Sequence, residues 1–170
     1  WIYANVLQQP LSEAQSQALG EQFSTLALDK ILAAPFVRGA LEALQGLSQR
    51  LPLFVASGTP QAELELIIER RGLRGYFREV WGTPTEKPTI LRDLMQRFGF
   101  AAAQMLFIGD GLSDYKAAAA VETAFLARDT AALAATWREK AVRKSPDLRA
   151  LPAIVDGWAE DWHGEWSGLG

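Results

Sequence analysis

The sequence contains no cysteine and a single histidine, His163, among its 170 residues. Without cysteine the chain has no disulfide, no thiolate metal ligand and no cysteine nucleophile. One histidine nearly excludes a serine–histidine triad and a zinc site built from several histidines. The sequence also lacks an apolar run long enough to cross a bilayer. Large classes of catalytic and metal chemistry are therefore excluded before any motif is considered.

The charge balance is equally restrictive. A net charge of −3 gives no general attraction to nucleic acid or to an anionic membrane surface, so we expect neither as a partner. Hydrophobic residues make up 49% and charged residues 22%, which is typical of a globular chain with a core of ordinary size. By default we expect a cytoplasmic protein.

The hydrophobic period changes near residue 50. Before that point, apolar residues recur at helical spacing over 11–34 and 37–49. Beyond it, the pattern predicts strand 51–57, helix 59–71, strand 79–81, helix 87–98, strand 105–109, helix 113–120 and strand 123–127, and then helices over 129–141 and 147–155. Regular alternation of this kind predicts an α/β fold, a doubly wound parallel sheet with helices on both faces.

Polar residues follow three of the predicted strands. Ser57, Gly58 and Thr59 end the first, Lys87 begins the helix after the second, and the third leads into two aspartates in the stretch LFIGDGLSD. Ligands of open parallel sheets bind beyond the carboxyl ends of the strands. If the strands are parallel, these side chains gather at one edge of the sheet.

Each cluster has a chemical use. The hydroxyls of Ser57 and Thr59, with backbone N–H groups around Gly58, suit an anion at a helix N-terminus. Lys87 is a mobile positive charge suited to a phosphate. The remaining pair, Asp110 and Asp114, offers hard oxygen ligands that suit Mg²⁺ better than zinc. Together they indicate Mg²⁺-assisted phosphoryl transfer.

Each cluster also has a purely structural interpretation. The Ser57–Pro60 segment is a common turn and N-cap sequence, and most lysines are simply exposed. Asp110 followed by glycine is a common turn, and Asp114 would be a first-turn acid favoured by the helix dipole. The functional interpretation depends on all three clusters occurring in order at strand ends.

The ordered segments FVASGTP, EKPTIL and LFIGDGLSDYKAA resemble the haloacid dehalogenase superfamily of hydrolases. The similarity is to its phosphoglycolate-phosphatase-like branch, which has a helical cap. In that resemblance Ser57 matches the second motif and Lys87 the third. Asp110 and Asp114 match the fourth, the G-D-x-x-x-D metal site. The segment 35–44 resembles the re-entry from the cap, and TAFLAR resembles the strand after the fourth motif.

The resemblance implies a Mg²⁺-dependent phosphatase acting on a small phosphorylated metabolite. It assigns Lys87 and Asp110 to catalysis. Ser57, Gly58, Thr59 and Lys87 are assigned to phosphate binding, and Asp110 with Asp114 to the metal. A response-regulator receiver combines similar residues, but there the aspartates come first in the chain.

Two departures from the family pattern stand out. Its first motif, D-x-D-x-[TV], is absent, since no aspartate precedes Asp29. That motif supplies the nucleophile and the general acid–base aspartate. We expect it upstream of this chain, on a central strand that is missing here, so that the fragment alone is inactive. Glu122 stands where the family commonly has glycine, which puts the local turn geometry in question.

The resulting prediction divides the chain into a partial helical cap (1–34), a hydrolase core lacking its first strand (35–156) and a C-terminal tail (157–170). Trp158, Trp162 and Trp166 recur every fourth residue, as in a docking helix, although the surrounding glycines favour a loosely ordered tail. A second hypothesis for function is a non-catalytic module that binds phosphate or a partner, should the first motif never have existed.

Overall fold

The computed structural model describes residues 28–138 and 140–161. The chain divides into two compact units, Trp1–Pro35 and Phe36–Gly170. In the first unit residues 28–33 are helical. The rest of the helix predicted over 11–34 lies outside the described residues, as do Trp162, His163 and Trp166. The assignment of cap, core and tail remains a prediction.

The second unit alternates helices and strands, as the sequence predicts. In chain order its elements are α1 (Ala40–Leu47), β1 (Phe54–Pro60), α2 (Gln61–Arg70), β2 (Glu79–Thr83), α3 (Lys87–Phe98), β3 (Leu106–Gly109), α4 (Leu112–Ala119), β4 (Ala124–Arg128), α5 (Ala134–Trp137), β5 (Arg143–Ser145) and α6 (Leu151–Asp161). Short 3₁₀ turns at Arg74–Tyr76 and Ala102–Gln104 precede β2 and β3.

The strands are parallel, but they form two sheets. β1 pairs with β2 in one sheet, and the second sheet has the order β3–β4–β5. Among the described residues, β1 and β3 therefore each have a ladder partner on one side only. The predicted parallel α/β fold is confirmed, with an interruption between β1 and β3.

Helices cover strands β3 and β4 on both faces, and successive side chains along each strand pack into opposite layers. Leu106, Ile108 and Leu126 pack with α1 and α6 through Ala43, Leu47 and Leu151. Phe107 and Phe125 point to the other face and pack with α3, α4 and α5 through residues that include Leu91, Ala117, Ala118 and Trp137. The period of two along each strand thus divides the core into two layers.

The C-terminal part differs most from the prediction. The helix predicted over 129–141 is reduced to Ala134–Trp137, and strand β5 follows it. The three residues of β5, Arg-Lys-Ser, carry no apolar alternation and pair only with β4, so period alone does not reveal them. Helix α6 continues through Gly157, and Trp158 packs against the core. In the part of the chain that is described, no helix combines the length and apolar character needed to cross a membrane.

Three of the described residues that follow helices occupy the left-handed backbone region. Gly72 and Gly99, with φ of 65° and 70°, follow α2 and α3 as the sequence predicts. Glu122 has φ of 58° in the turn between α4 and β4. A side chain at this φ is strained, which explains why glycine suits the position better.

Candidate active site

The two halves of the site meet in an ion pair. Lys87 begins α3 after β2, and Asp114 lies in the first turn of α4 after β3. The Lys87 ammonium donates a hydrogen bond to Asp114 Oδ1 at 2.5 Å, with side chains only 20% and 12% exposed. This contact brings the carboxyl ends of β2 and β3 to the same edge, although they belong to different sheets.

Asp114 is held from its other side by the backbone. Its Oδ2 accepts a hydrogen bond of 3.0 Å from the N–H of Gly111, the residue that precedes α4. This is the contact expected of a first-turn acid, so Asp114 caps the helix as well as binding Lys87. Gly109 leaves room for it, because a Cβ there would lie 2.6 Å from the Asp114 carboxylate carbon.

Helix α4 is fixed to the sheet directly beyond Asp114. The ring of Tyr115 packs edge-on against Phe125 of β4 and the buried Trp137 of α5, with centroids 5.8 and 6.4 Å away. Edge-to-face rings are a favourable aromatic geometry. The packing fixes the turn of helix that carries Asp114.

Asp110 is the more accessible of the two aspartates. It follows the last residue of β3, and its side chain is 58% exposed. Its Oδ2 lies 3.7 Å from the Nη1 of Arg128, the last residue of β4. The predicted set did not include Arg128. The contact follows from the observed register, since two parallel strands in register place the residues after their ends side by side.

The predicted phosphate loop ends strand β1. The N–H of Thr59 donates to Ser57 Oγ at 3.1 Å, and the Ser57 hydroxyl donates to Thr59 Oγ1 at the same distance. Gly58 is exposed between them, and α2 begins at Gln61. The loop therefore holds two hydroxyls and a helix N-terminus together at the carboxyl end of a parallel strand.

Gln61 joins this loop to the end of β2, a role that the sequence analysis missed. Its amide donates to the carbonyl of Val80 at 3.0 Å and accepts from the N–H of Gly82 at 2.5 Å. Gly82 lies so close that a Cβ would come within 2.9 Å of the Gln61 Cα. The signal is its position as the first helical residue after the loop.

The carboxylate oxygens at this edge only partly meet the needs of a hard divalent cation. Among residues 28–138 and 140–161, no three carboxylate or imidazole side chains come together to form a metal site. Both oxygens of Asp114 are engaged, by Lys87 and by Gly111. Asp110 is therefore the side chain with a carboxylate available for direct coordination, and further oxygen ligands would have to come from elsewhere.

Two carboxyl groups elsewhere in the fold have lowered pKa values. A hydrogen bond from the Arg97 guanidinium holds the pKa of Glu79, at the start of β2, below its usual 4.5. Hydrogen bonds from Arg149 likewise lower the pKa of Asp147. Both ion pairs are on the surface and mark no additional site of proton transfer.

Comparison with solved structures identifies the class of fold. A haloacid-dehalogenase-superfamily hydrolase of subfamily IA from Geobacter sulfurreducens matches with a TM-score of 0.70 at 19% identity, over 91% of this chain and 71% of that one. A predicted phosphoglycolate phosphatase from Haemophilus somnus matches with a TM-score of 0.72 at 20% identity, over 89% and 71%. At these identities the likeness establishes the fold alone, a parallel α/β architecture shared with those proteins.

The family follows from the sequence. The model of the haloacid dehalogenase-like hydrolase family matches residues 4–122, more than half of the chain. The chain belongs to this family of hydrolases. No functionally curated protein matches the sequence.

Proposed function

We propose that this chain is part of a Mg²⁺-dependent phosphatase that hydrolyses a small phosphomonoester through an aspartyl-phosphate. The observation that carries the proposal is the Lys87–Asp114 ion pair together with the exposed Asp110 carboxylate, at the carboxyl edge of parallel strands. Membership of the hydrolase family and the fold shared with a predicted phosphoglycolate phosphatase support it.

Phosphate binding belongs to the loop after β1. The Gly58 N–H and the Thr59 hydroxyl would donate hydrogen bonds to phosphoryl oxygens, and the Ser57 hydroxyl and Thr59 N–H would do so on exchanging their bonds within the loop. Their geometry is prepared by the hydrogen bonds within the loop and by the contact of Gln61 with β2. Donors held close to their final positions are effective because little rearrangement is needed when charge develops on the phosphoryl group.

The charged residues would hold the reacting groups. Asp110, assisted by Asp114, would hold Mg²⁺, whose charge when bound offsets that of the phosphoryl oxygens. Lys87 carries a positive charge that is fixed in direction by Asp114. In this position it would offset charge on the nucleophile and on the phosphoryl group, while Asp114 keeps the lysine side chain extended towards the site.

The nucleophile is proposed to lie upstream of Trp1, on a strand between β1 and β3. The interruption of the sheet at that point supports this placement, since β1 and β3 each have one ladder partner among the described strands. The aspartate would attack phosphorus and release the alcohol. Water would then cleave the acyl phosphate, which gives inorganic phosphate and restores the carboxylate.

The test is phosphate release by the natural full-length protein from a panel of small phosphomonoesters. We expect turnover with Mg²⁺, none with excess chelator, and a loss of at least about 100-fold in Asp110→Asn. Lys116→Met, an exposed charge change two residues beyond Asp114, is the matched control and should retain activity. Full activity in Asp110→Asn would contradict the metal assignment.

A non-catalytic phosphate-binding module is the second candidate. It is favoured by the shortage of carboxylates at the site, since the described residues bring no third one to Asp110 and Asp114. A natural protein that lacks the D-x-D-x-[TV] motif, binds inorganic phosphate through Ser57 and releases none from any phosphomonoester would establish this function instead.

A further inference from the structure

The register of β3 and β4 places a cation beside Asp110. Gly109 and Ala127 form the last register pair of these parallel strands, and Asp110 and Arg128 each follow by one residue. Their side chains approach to 3.7 Å. Resting on the proposed function, we propose that Arg128 is the intramolecular counter-cation of Asp110, so that a divalent cation must displace its guanidinium to bind.

The backbone of Arg128 is fixed by its pairing with β5. Leu126, Ala127 and Arg128 pair with the three residues of β5, and the next N–H, of Asp129, donates to the Ser145 carbonyl at 2.8 Å. The Nε of Arg128 is covered and finds no acceptor among the described residues, although its side chain remains 31% exposed. Backbone pairing therefore holds Arg128 in the sheet, while an outer nitrogen of its side chain reaches Asp110.

The two ion pairs of the site differ in strength. Lys87 and Asp114 are close and largely buried, whereas Arg128 and Asp110 are separated by 3.7 Å and half exposed. A long exposed ion pair contributes little to the free energy of folding. The charge of Arg128 is nevertheless close enough to oppose a second cation at Asp110, so its effect is expected on metal affinity.

The experiment is a calorimetric Mg²⁺ titration of the natural full-length protein at low ionic strength and without substrate. Arg128→Gln should bind Mg²⁺ about 3- to 10-fold more tightly than the wild type, because a nearby positive charge is removed. Arg128→Lys keeps the charge and should stay near the wild-type affinity. Arg50→Gln, which removes an exposed arginine paired with Asp156, is the control and should not differ.

Salt provides a second readout, since the difference between Arg128→Gln and the wild type should shrink at high ionic strength. Equal or weaker Mg²⁺ binding by folded Arg128→Gln, with measurable binding by the wild type, would overturn the role of Arg128 and leave the phosphatase proposal standing. Absence of binding in all the proteins would overturn both the role of Arg128 and the metal assignment.

Discussion

The two groups of strands, β1–β2 and β3–β4–β5, form two halves that differ in how deeply their residues are buried. In the β3–β4–β5 half, Ala124, Phe125, Leu126 and Ala127 of β4 are all buried between two layers of helices. In the β1–β2 half only Gly82 is fully buried, and strand β1 has no buried residue. Strand β3 resembles β1 in this respect, as all four of its residues are only half buried.

This difference follows the pairing of the strands. Among the described strands β4 alone is paired on both sides, and it is buried, whereas β1 and β3, each paired on one side, are half buried. Helices α3 and α4 join the halves, through Leu91 and Ala117 in the core and through Lys87 and Asp114 at the edge. The phosphate loop belongs to one half and the aspartates to the other, so the site depends on this junction.

The largest expected effect comes from breaking that junction. Lys87→Met in the full-length protein leaves Asp114 with one hydrogen-bond donor and removes a charge from the site. We expect phosphatase turnover to fall by about 100- to 1,000-fold, as for loss of a preorganised electrostatic group. Steady-state phosphate release measures it. Turnover within a factor of two of the Lys116→Met control would separate the ion pair from catalysis.

A pair of core variants would sharpen the comparison of burial. Ile108 and Leu126 face each other in register on the same face of the sheet, but only Leu126 is fully buried. In this chain Leu126→Ala should lower the free energy of unfolding by about 2–5 kcal/mol. Ile108→Ala should cost less, about 1–2 kcal/mol, because less apolar area is lost.

Urea unfolding of both variants in this chain and in the full-length protein provides the measurement. If a further strand covers β3 in the full-length protein, the cost of Ile108→Ala should rise there towards that of Leu126→Ala. An unchanged cost would mean that the open side of β3 stays uncovered.

Replacing Glu122 by glycine is expected to stabilise the β3–β4–β5 half of the fold. Its φ of 58° is favourable for glycine and strained for other residues. Glu122→Gly should therefore raise the free energy of unfolding by about 1 kcal/mol. Thermal unfolding measures the change, and Glu122→Ala, which keeps a Cβ, should bring no such gain. Equal stabilisation by both variants would point to the lost charge rather than to the backbone.

The smallest effect concerns the start of β2. The pKa of Glu79 is lowered in the fold by Arg97, so the pair stabilises the fold above the usual pKa of 4.5. That contribution is lost as pH falls through the lowered value. Arg97→Gln should be slightly less stable than the wild type at pH 7, and the difference in urea unfolding should close as the pH falls below the lowered pKa. Arg70→Gln is the exposed control, and a difference independent of pH would contradict the linkage.

The sequence was most informative where helix-end residues and a regular hydrophobic period occur together. Helix Lys87–Phe98 was predicted with its bounds, because Pro88 near its start and Gly99 at its end frame a clear apolar face. The Lys87–Asp114 contact was harder, since its distance depends on how α3 and α4 pack. Sequence order placed both residues at strand ends, but only tertiary packing brings them together.

Other features depend on neighbours that local sequence does not contain. The polar strand β5 exists because β4 offers it an edge, and no alternation marks it beforehand. The approach of Arg128 to Asp110 follows from a register that is set by the whole β3–β4 pair. The interruption of the sheet was anticipated from the missing first motif, because that motif sits on a central strand in the family.

The measurement that tests the account most directly is chemical trapping of the phosphorylated enzyme. The full-length protein would be mixed with para-nitrophenyl phosphate and Mg²⁺, quenched in acid and reduced with borohydride, which converts an aspartyl-phosphate to homoserine. Homoserine is expected at one aspartate upstream of Trp1, with none in a sample lacking substrate. Turnover without a modified aspartate, or modification of Asp110 instead, would contradict it.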